Sequence, residues 1–266
     1  MTLFEGAALG LLQGLTEFLP VSSSGHLALA KRLFGLSELP LLFDVSLHLA
    51  TLAAVLVAFR ERICGLAAAL GRWLARRSTP EDGGELQFIL AILVGTALTG
   101  AIGLGLERLG LGENPKLVSA GFLATALLLV LSERIGSGPG RKGGSPGPRE
   151  GILVGIAQGI GVLPGVSRSG ITISASLAAG VDRGKAGEFS FILSIPAVLG
   201  AFLLELKDAG EMMAGLSPAP LALGLLLAFA SGLAAIKLFL GLVRRSRLSW
   251  FAAYLAPLGI AGLIWL

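Results

Sequence analysis

The sequence predicts an all-α polytopic membrane protein: six transmembrane helices plus two re-entrant helix hairpins, set out as an inverted-topology internal repeat. Three observations carry that expectation. Apolar residues make up 54% of the 266-residue chain, 39 glycines come on top, and charged residues reach only 14%, against about 25% charged in soluble domains. Six apolar stretches approach the ~20 residues a span needs. A segment near the N-terminus recurs, without gaps, 145 residues later. Disorder and an ordinary soluble enzyme are excluded, and the Leu/Ala/Gly-rich segments lack the two-residue alternation of a membrane β-barrel.

Taken in order, residues 5–19 are apolar but too short to span. They end at Pro20, followed by the polar turn Val21-Ser22-Ser23-Ser24-Gly25. Irregular backbone at membrane depth is tolerated only inside protein or against a wet cavity, so residues 5–34 are expected to form a re-entrant hairpin. Spans follow near 41–59, 86–106 and 117–133, completing a first repeat over 1–133. Residues 134–150, rich in Gly, Pro, Ser and basic side chains, read as a flexible cytoplasmic loop. A second repeat covers 151–266. Its hairpin, 151–181, turns at Pro164-Gly165-Val166-Ser167-Arg168-Ser169-Gly170, and its spans lie near 186–206, 220–242 and 250–266.

The repeat rests on ten identities in 26 positions, among them Glu5/Glu150, Gln13/Gln158, Ser22/Ser167, Ser24/Ser169 and Gly25/Gly170. Gly6, Gly10 and Gly14, matched by Gly151, Gly155 and Gly159, give each copy a small-residue face for close helix contact, which would also permit a homodimer. Three spans separate the copies, so their orientations are opposed. Charge agrees: fourteen Lys/Arg fall in the loops of one side and five on the other. The richer side, with residues 60–85, is expected to be cytoplasmic, and the hairpin tips to meet near the midplane.

Net charge of +4 reflects those basic loops rather than nucleic-acid binding, and the few scattered aromatics suggest no base stacking. Cys64 is alone, so no intrachain disulfide can form. The N-terminus lacks the basic region of a cleaved signal peptide and is expected to remain as structure.

Ionisable groups within apolar segments are costly, and five stand out: Glu17, His26, Asp44, His48 and Arg168. The turns suit helix N-caps, through Ser22, Ser23, Ser24 and Gly25 and through Ser167, Ser169 and Gly170. Helix N-termini favour phosphate, and Arg168 adds a bidentate cation. A hydroxyl, an imidazole and a carboxylate supply a nucleophile and acid/base groups. The pattern points to phosphoryl chemistry on a lipid. Plainer readings stand beside it. The serines would equally satisfy freed backbone groups, His48 reads as a packing or helix-pairing residue, and Asp44 as an N-terminal cap. Arg60, Arg62, Arg72, Arg76 and Arg77 read as topology and headgroup charges, and Trp250, Tyr254 and Trp265 as interfacial anchors.

Gln13-Gly-Leu-Thr-Glu17-Phe-Leu-Pro20-Val-Ser-Ser-Ser-Gly25-His26 and Leu163-Pro-Gly-Val-Ser-Arg168-Ser-Gly-Ile-Thr172 resemble the two signature motifs of the bacitracin-resistance undecaprenyl-diphosphate phosphatase family. The stretch from Phe43 through Asp44 to His48 resembles it too, as do the length and helix layout. The resemblance implies a bacterial inner-membrane enzyme. It would remove the terminal phosphate of undecaprenyl diphosphate, recycle the carrier lipid for peptidoglycan, confer bacitracin resistance and open to the periplasm.

The resemblance assigns catalysis to Glu17, Ser23, His26 and Arg168. It places Gln13, Ser22, Ser24, Gly25, Ser167, Ser169, Gly170 and Thr172 around the substrate. A divalent cation, Mg²⁺ or Ca²⁺, would bridge phosphate and Glu17, although Gln13 departs from the family's two-carboxylate form and cannot itself charge a metal. Ser23 is the expected nucleophile, with His26 as an alternative. The rival class is a polyprenyl-phosphate transporter or flippase, because inverted repeats with broken helices are also the architecture of secondary transporters.

Overall fold

The computed structural model describes residues 1–36, 39–109, 114–135, 144–205, 217–244 and 247–265, and regular structure among them is entirely helical. The first hairpin is α1 (Leu3–Phe18) and α2 (Ser23–Leu33). Then come α3 (Leu41–Ala58), α4 (Arg60–Leu74), α5 (Asp82–Glu107) and α6 (Pro115–Ile135). The second hairpin is α7 (Pro148–Ile160) and α8 (Arg168–Ala178), followed by α9 (Arg183–Glu205), α10 (Pro218–Arg244) and α11 (Ser249–Trp265).

Four helices among the described residues, α5, α6, α9 and α10, are long and apolar enough to cross a membrane. The expected span near 41–59 instead bends by 76° into α4, a helix that the basic stretch 60–85 had concealed as a loop. The last expected span is α11, 17 apolar residues, about 25 Å at ~1.5 Å per residue. Residues 136–143 of the expected 134–150 loop lie outside the described residues, as do 206 and 266.

The two copies start alike. Glu5 takes the backbone N–H of Thr2 at 2.7 Å, and Glu150 that of Gly147 at 2.8 Å, each satisfying a donor at its helix N-terminus. The first helix of each then stops before a proline. Leu19, ahead of Pro20, is extended (φ −70°, ψ 144°), as the proline ring requires.

The glycine faces are spent on packing within the chain. α1 runs along α10 and α7 along α5, and these are the most extensive helix pairings, with α6 against α11 next. A Cβ at Gly6, Gly10 or Gly14 would collide with the backbone of Pro220, Gly224 or Ala228. One at Gly151 or Gly155 would meet the backbone of Ala91 or Gly95, and one at Gly159 the side chain of Ile102. Each hairpin therefore docks by its glycine stripe on a long helix of the opposite half.

The tips touch. Ser169 Oγ donates to the Leu19 carbonyl at 3.2 Å, and Gly170 lies against Pro20. Phe18, Val21, Phe122, Ile173, Leu177, Phe191 and Phe239 form the apolar core around this meeting point.

Candidate functional site

Glu17 is the hub. It sits in the last turn of α1, with Gln13 one turn earlier on the same face. Its Oε1 pairs with the Arg168 guanidinium, carried across from the first turn of α8. Its Oε2 accepts from Ser23 Oγ at 2.5 Å and from Gln13 Nε2 at 3.0 Å. Glu17 is buried, so an unpaired carboxylate there would be costly; these donors are what make the charge tolerable. Four sequence-derived residues, Gln13, Glu17, Ser23 and Arg168, thus converge from two copies 145 residues apart.

His48 joins them. Its Nδ1 lies 3.2 Å from Glu17 Oε2 and 2.9 Å from Gln13 Nε2, so it pairs α3 with α1 and does so at the site itself. The signal available was spacing: Asp44 and His48 are four apart on α3 and share a face. Asp44 does not cap α3, which has no side-chain cap; its carboxylate pairs with Lys31 at 2.5 Å.

The tips are built by their serines. Ser22 caps α2, accepting the Gly25 N–H at 3.4 Å, at a positive φ of 67° that non-glycine residues adopt at a cost. Ser167 caps α8, accepting the Gly170 N–H at 3.0 Å. Thr125 of α6 receives the Ser167 N–H at 2.9 Å and fixes that turn. Gly25 leaves room for the Phe122 ring. The Ser22–Ser24 and Ser167–Ser169 hydroxyl pairs correspond, at 3.4 and 3.2 Å. Ser24 is exposed while Ser169 is buried. Thr172 donates to the Arg168 carbonyl at 2.7 Å and meets Ser190 of α9; its hydroxyl serves helix packing.

His26 is brought elsewhere. Its Nδ1 lies 2.8 Å from the Ser22 carbonyl and its Nε2 2.7 Å from the Tyr254 hydroxyl of α11. Tyr254 is accordingly a site neighbour rather than only an interfacial anchor, whereas Trp250 and Trp265 are exposed. Arg62 pairs with Glu85 and Glu188, and Arg72 with Asp82, so these two arginines also tie helices together.

Chemically, Ser23 and Glu17 form a nucleophile–base pair within hydrogen-bond reach. Two helix N-termini and a guanidinium stand beside them for an anion. Among the described residues no three His, Cys, Asp or Glu side chains cluster to hold a metal. Glu17 is the carboxylate in direct contact with Ser23 and Arg168.

The sequence profile described as Bacitracin resistance protein BacA matches residues 6–261. The chain is 49% identical to an undecaprenyl-diphosphatase of Treponema denticola over 260 residues, covering 98% of this chain and 96% of that one. It is 45% identical to an undecaprenyl-diphosphatase of Desulfosudis oleivorans, with 96% and 95% covered. A third, from Carboxydothermus hydrogenoformans, is 43% identical, with 99% and 97% covered.

Proposed function

The chain belongs to the bacitracin resistance protein BacA family, and we infer from that membership that it is a multi-pass membrane undecaprenyl-diphosphatase. It hydrolyses undecaprenyl diphosphate to undecaprenyl phosphate and inorganic phosphate. The names of its relatives favour this reading over a flippase. The observation that carries the chemistry is the shared carboxylate, with Ser23 on one oxygen of Glu17 and Arg168 on the other.

Arg168 exchanges Glu17 for the diphosphate, helped by the N-termini of α2 and α8. Glu17, released from its counter-charge, takes the Ser23 proton as Ser23 Oγ attacks the terminal phosphorus. The bridging P–O bond breaks and undecaprenyl phosphate leaves. Water then hydrolyses the phosphoserine, and Glu17 returns the proton to Ser23. Positioning and charge stabilisation supply most of the acceleration, as in other phosphoryl transfers. His26 is a poorer nucleophile in this geometry because both of its nitrogens are engaged.

A divalent cation fits as a companion of the substrate. Mg²⁺ is commonly held by one or two carboxylates plus phosphate oxygens, and Glu17 would be its protein ligand once Arg168 has moved. It would supply neutralising charge to the diphosphate. The enzyme resides in the bacterial inner membrane with the first tip toward the periplasm, returning carrier lipid to peptidoglycan synthesis and conferring bacitracin resistance. Any homodimer uses surfaces other than the two glycine stripes, which are filled within one chain.

The test is phosphate release from undecaprenyl diphosphate by purified protein in detergent, where no compartments exist for transport. Release abolished by Ser23→Ala and by Arg168→Ala is expected. Near-normal turnover in Ser23→Ala overturns the serine mechanism. No release from the wild type, with or without Mg²⁺ or Ca²⁺, overturns the phosphatase reading in favour of transport.

A further inference from the structure

We propose that Tyr254 is a positioning residue for His26, fixing its tautomer and, through it, the Ser22 carbonyl beside Ser23. The proposal rests on the phosphatase reading. A carbonyl oxygen can only accept a hydrogen bond. His26 Nδ1, 2.8 Å from the Ser22 carbonyl, therefore carries the ring hydrogen, and the lone pair of the neutral imidazole is at Nε2. The Tyr254 hydroxyl, 2.7 Å from Nε2, must then be the donor. Neither nitrogen is left free to meet substrate directly.

The ring is also held sterically. Tyr254 stacks on it at 5.7 Å between centroids and 18° between planes, and Phe122 packs against it at 5.3 Å. Three elements, α2, α6 and α11, thus determine one imidazole. Such over-determination is how a catalytic group is kept in productive geometry. Within α11 the surroundings are apolar: from Phe251 to Ile264 no other side chain hydrogen-bonds. Tyr254 is the only tyrosine of the chain and half exposed.

The phenol therefore acts on the site through the imidazole, whose Nδ1–H holds the Ser22 carbonyl beside Ser23. The other ionisable groups of the site, Glu17, His48 and Arg168, face one another around Ser23. No charged side chain is carried by α11, and Phe122 is the contact from α6.

Because the tyrosine is unique, growth on 3-fluorotyrosine replaces this phenol alone with a more acidic one of nearly the same shape. The assay is detergent-solubilised enzyme turning over undecaprenyl diphosphate across pH. The expected results are a displaced pH profile of kcat for the fluorinated enzyme, and for Tyr254→Phe a roughly tenfold lower kcat, about 1.4 kcal/mol, with KM little changed. A fluorinated enzyme with the wild-type profile, together with Tyr254→Phe at wild-type kcat, overturns the role of Tyr254. An inactive wild type overturns the phosphatase reading instead. If Tyr254→Phe fails to fold, the fluorinated enzyme alone decides.

Discussion

Glu17 and Arg168 hold each other's charge, and that mutual dependence can be measured. Glu17 is almost fully buried, and the Arg168 side chain is 25% exposed. Removing one member of a buried pair leaves an uncompensated charge, typically a loss of about 3–5 kcal/mol; partial exposure of Arg168 sets the expectation at the lower end. Glu17→Gln should therefore lower unfolding stability in detergent by about 3 kcal/mol, and Glu17→Gln with Arg168→Gln should lose less than the single variant. Additive losses would show that the pair is not coupled. His48 offers a second residue-scale prediction. His48→Ala removes the acceptor of Gln13 Nε2 and should cut kcat about tenfold, one buried hydrogen bond being worth about 1–3 kcal/mol when its partner is orphaned. His48→Gln, which keeps polar atoms near that position, should recover most of it; equal activity in all three would return His48 to packing. Glu17, Ser23 and Arg168 were legible in the sequence because charge and hydroxyl groups beside turns in apolar segments need a reason to be there. The partners of His48 and Tyr254 were not, because they lie 35 and 228 residues away and only helix packing brings them together.

At the scale of elements, the repeat was the legible feature and the bend was not. Duplicated glycines announced a close contact, although sequence did not say against what; the structure assigns each stripe to a helix of the other half. Gly10→Ala and Gly155→Ala should therefore destabilise by about 1–3 kcal/mol each, the usual cost of overpacking, because their new methyls meet backbone atoms that cannot yield. Gly100→Ala, in open space on α5, should be neutral or stabilising by up to about 1 kcal/mol. Thermal unfolding in detergent orders the three, and equal midpoints would deny the stripes any packing role. The helix α4 escaped notice because five arginines dominate residues 60–85, yet Ile63, Leu66 and Leu70 already recur at helical spacing. Its arginines do two jobs: exposed ones such as Arg60 carry charge at the surface, while Arg62 ties α4 to α5 and α9 through Glu85 and Glu188.

For the whole molecule the open question is which way it faces, and its own composition provides the probe. The charge asymmetry predicts α4 on the cytoplasmic side, and Ser24, exposed at the first tip, is expected on the other. Cys64, exposed on α4, is the only thiol of the chain, so any thiol label reports that helix alone. A membrane-impermeant maleimide applied to cells with a permeabilised outer membrane should leave Cys64 unmodified, and modification should appear once the inner membrane is broken. In a Cys64→Ser background, Ser24→Cys should behave oppositely, reacting in intact cells. The two results constrain each other, because only a crossing of the membrane between Ser24 and Cys64 puts the two probes on opposite sides. Cys64 labelled and Ser24→Cys protected in intact cells would invert the assignment and turn the site toward the cytoplasm, where a phosphatase could not act on lipid left at the outer leaflet without a prior flip.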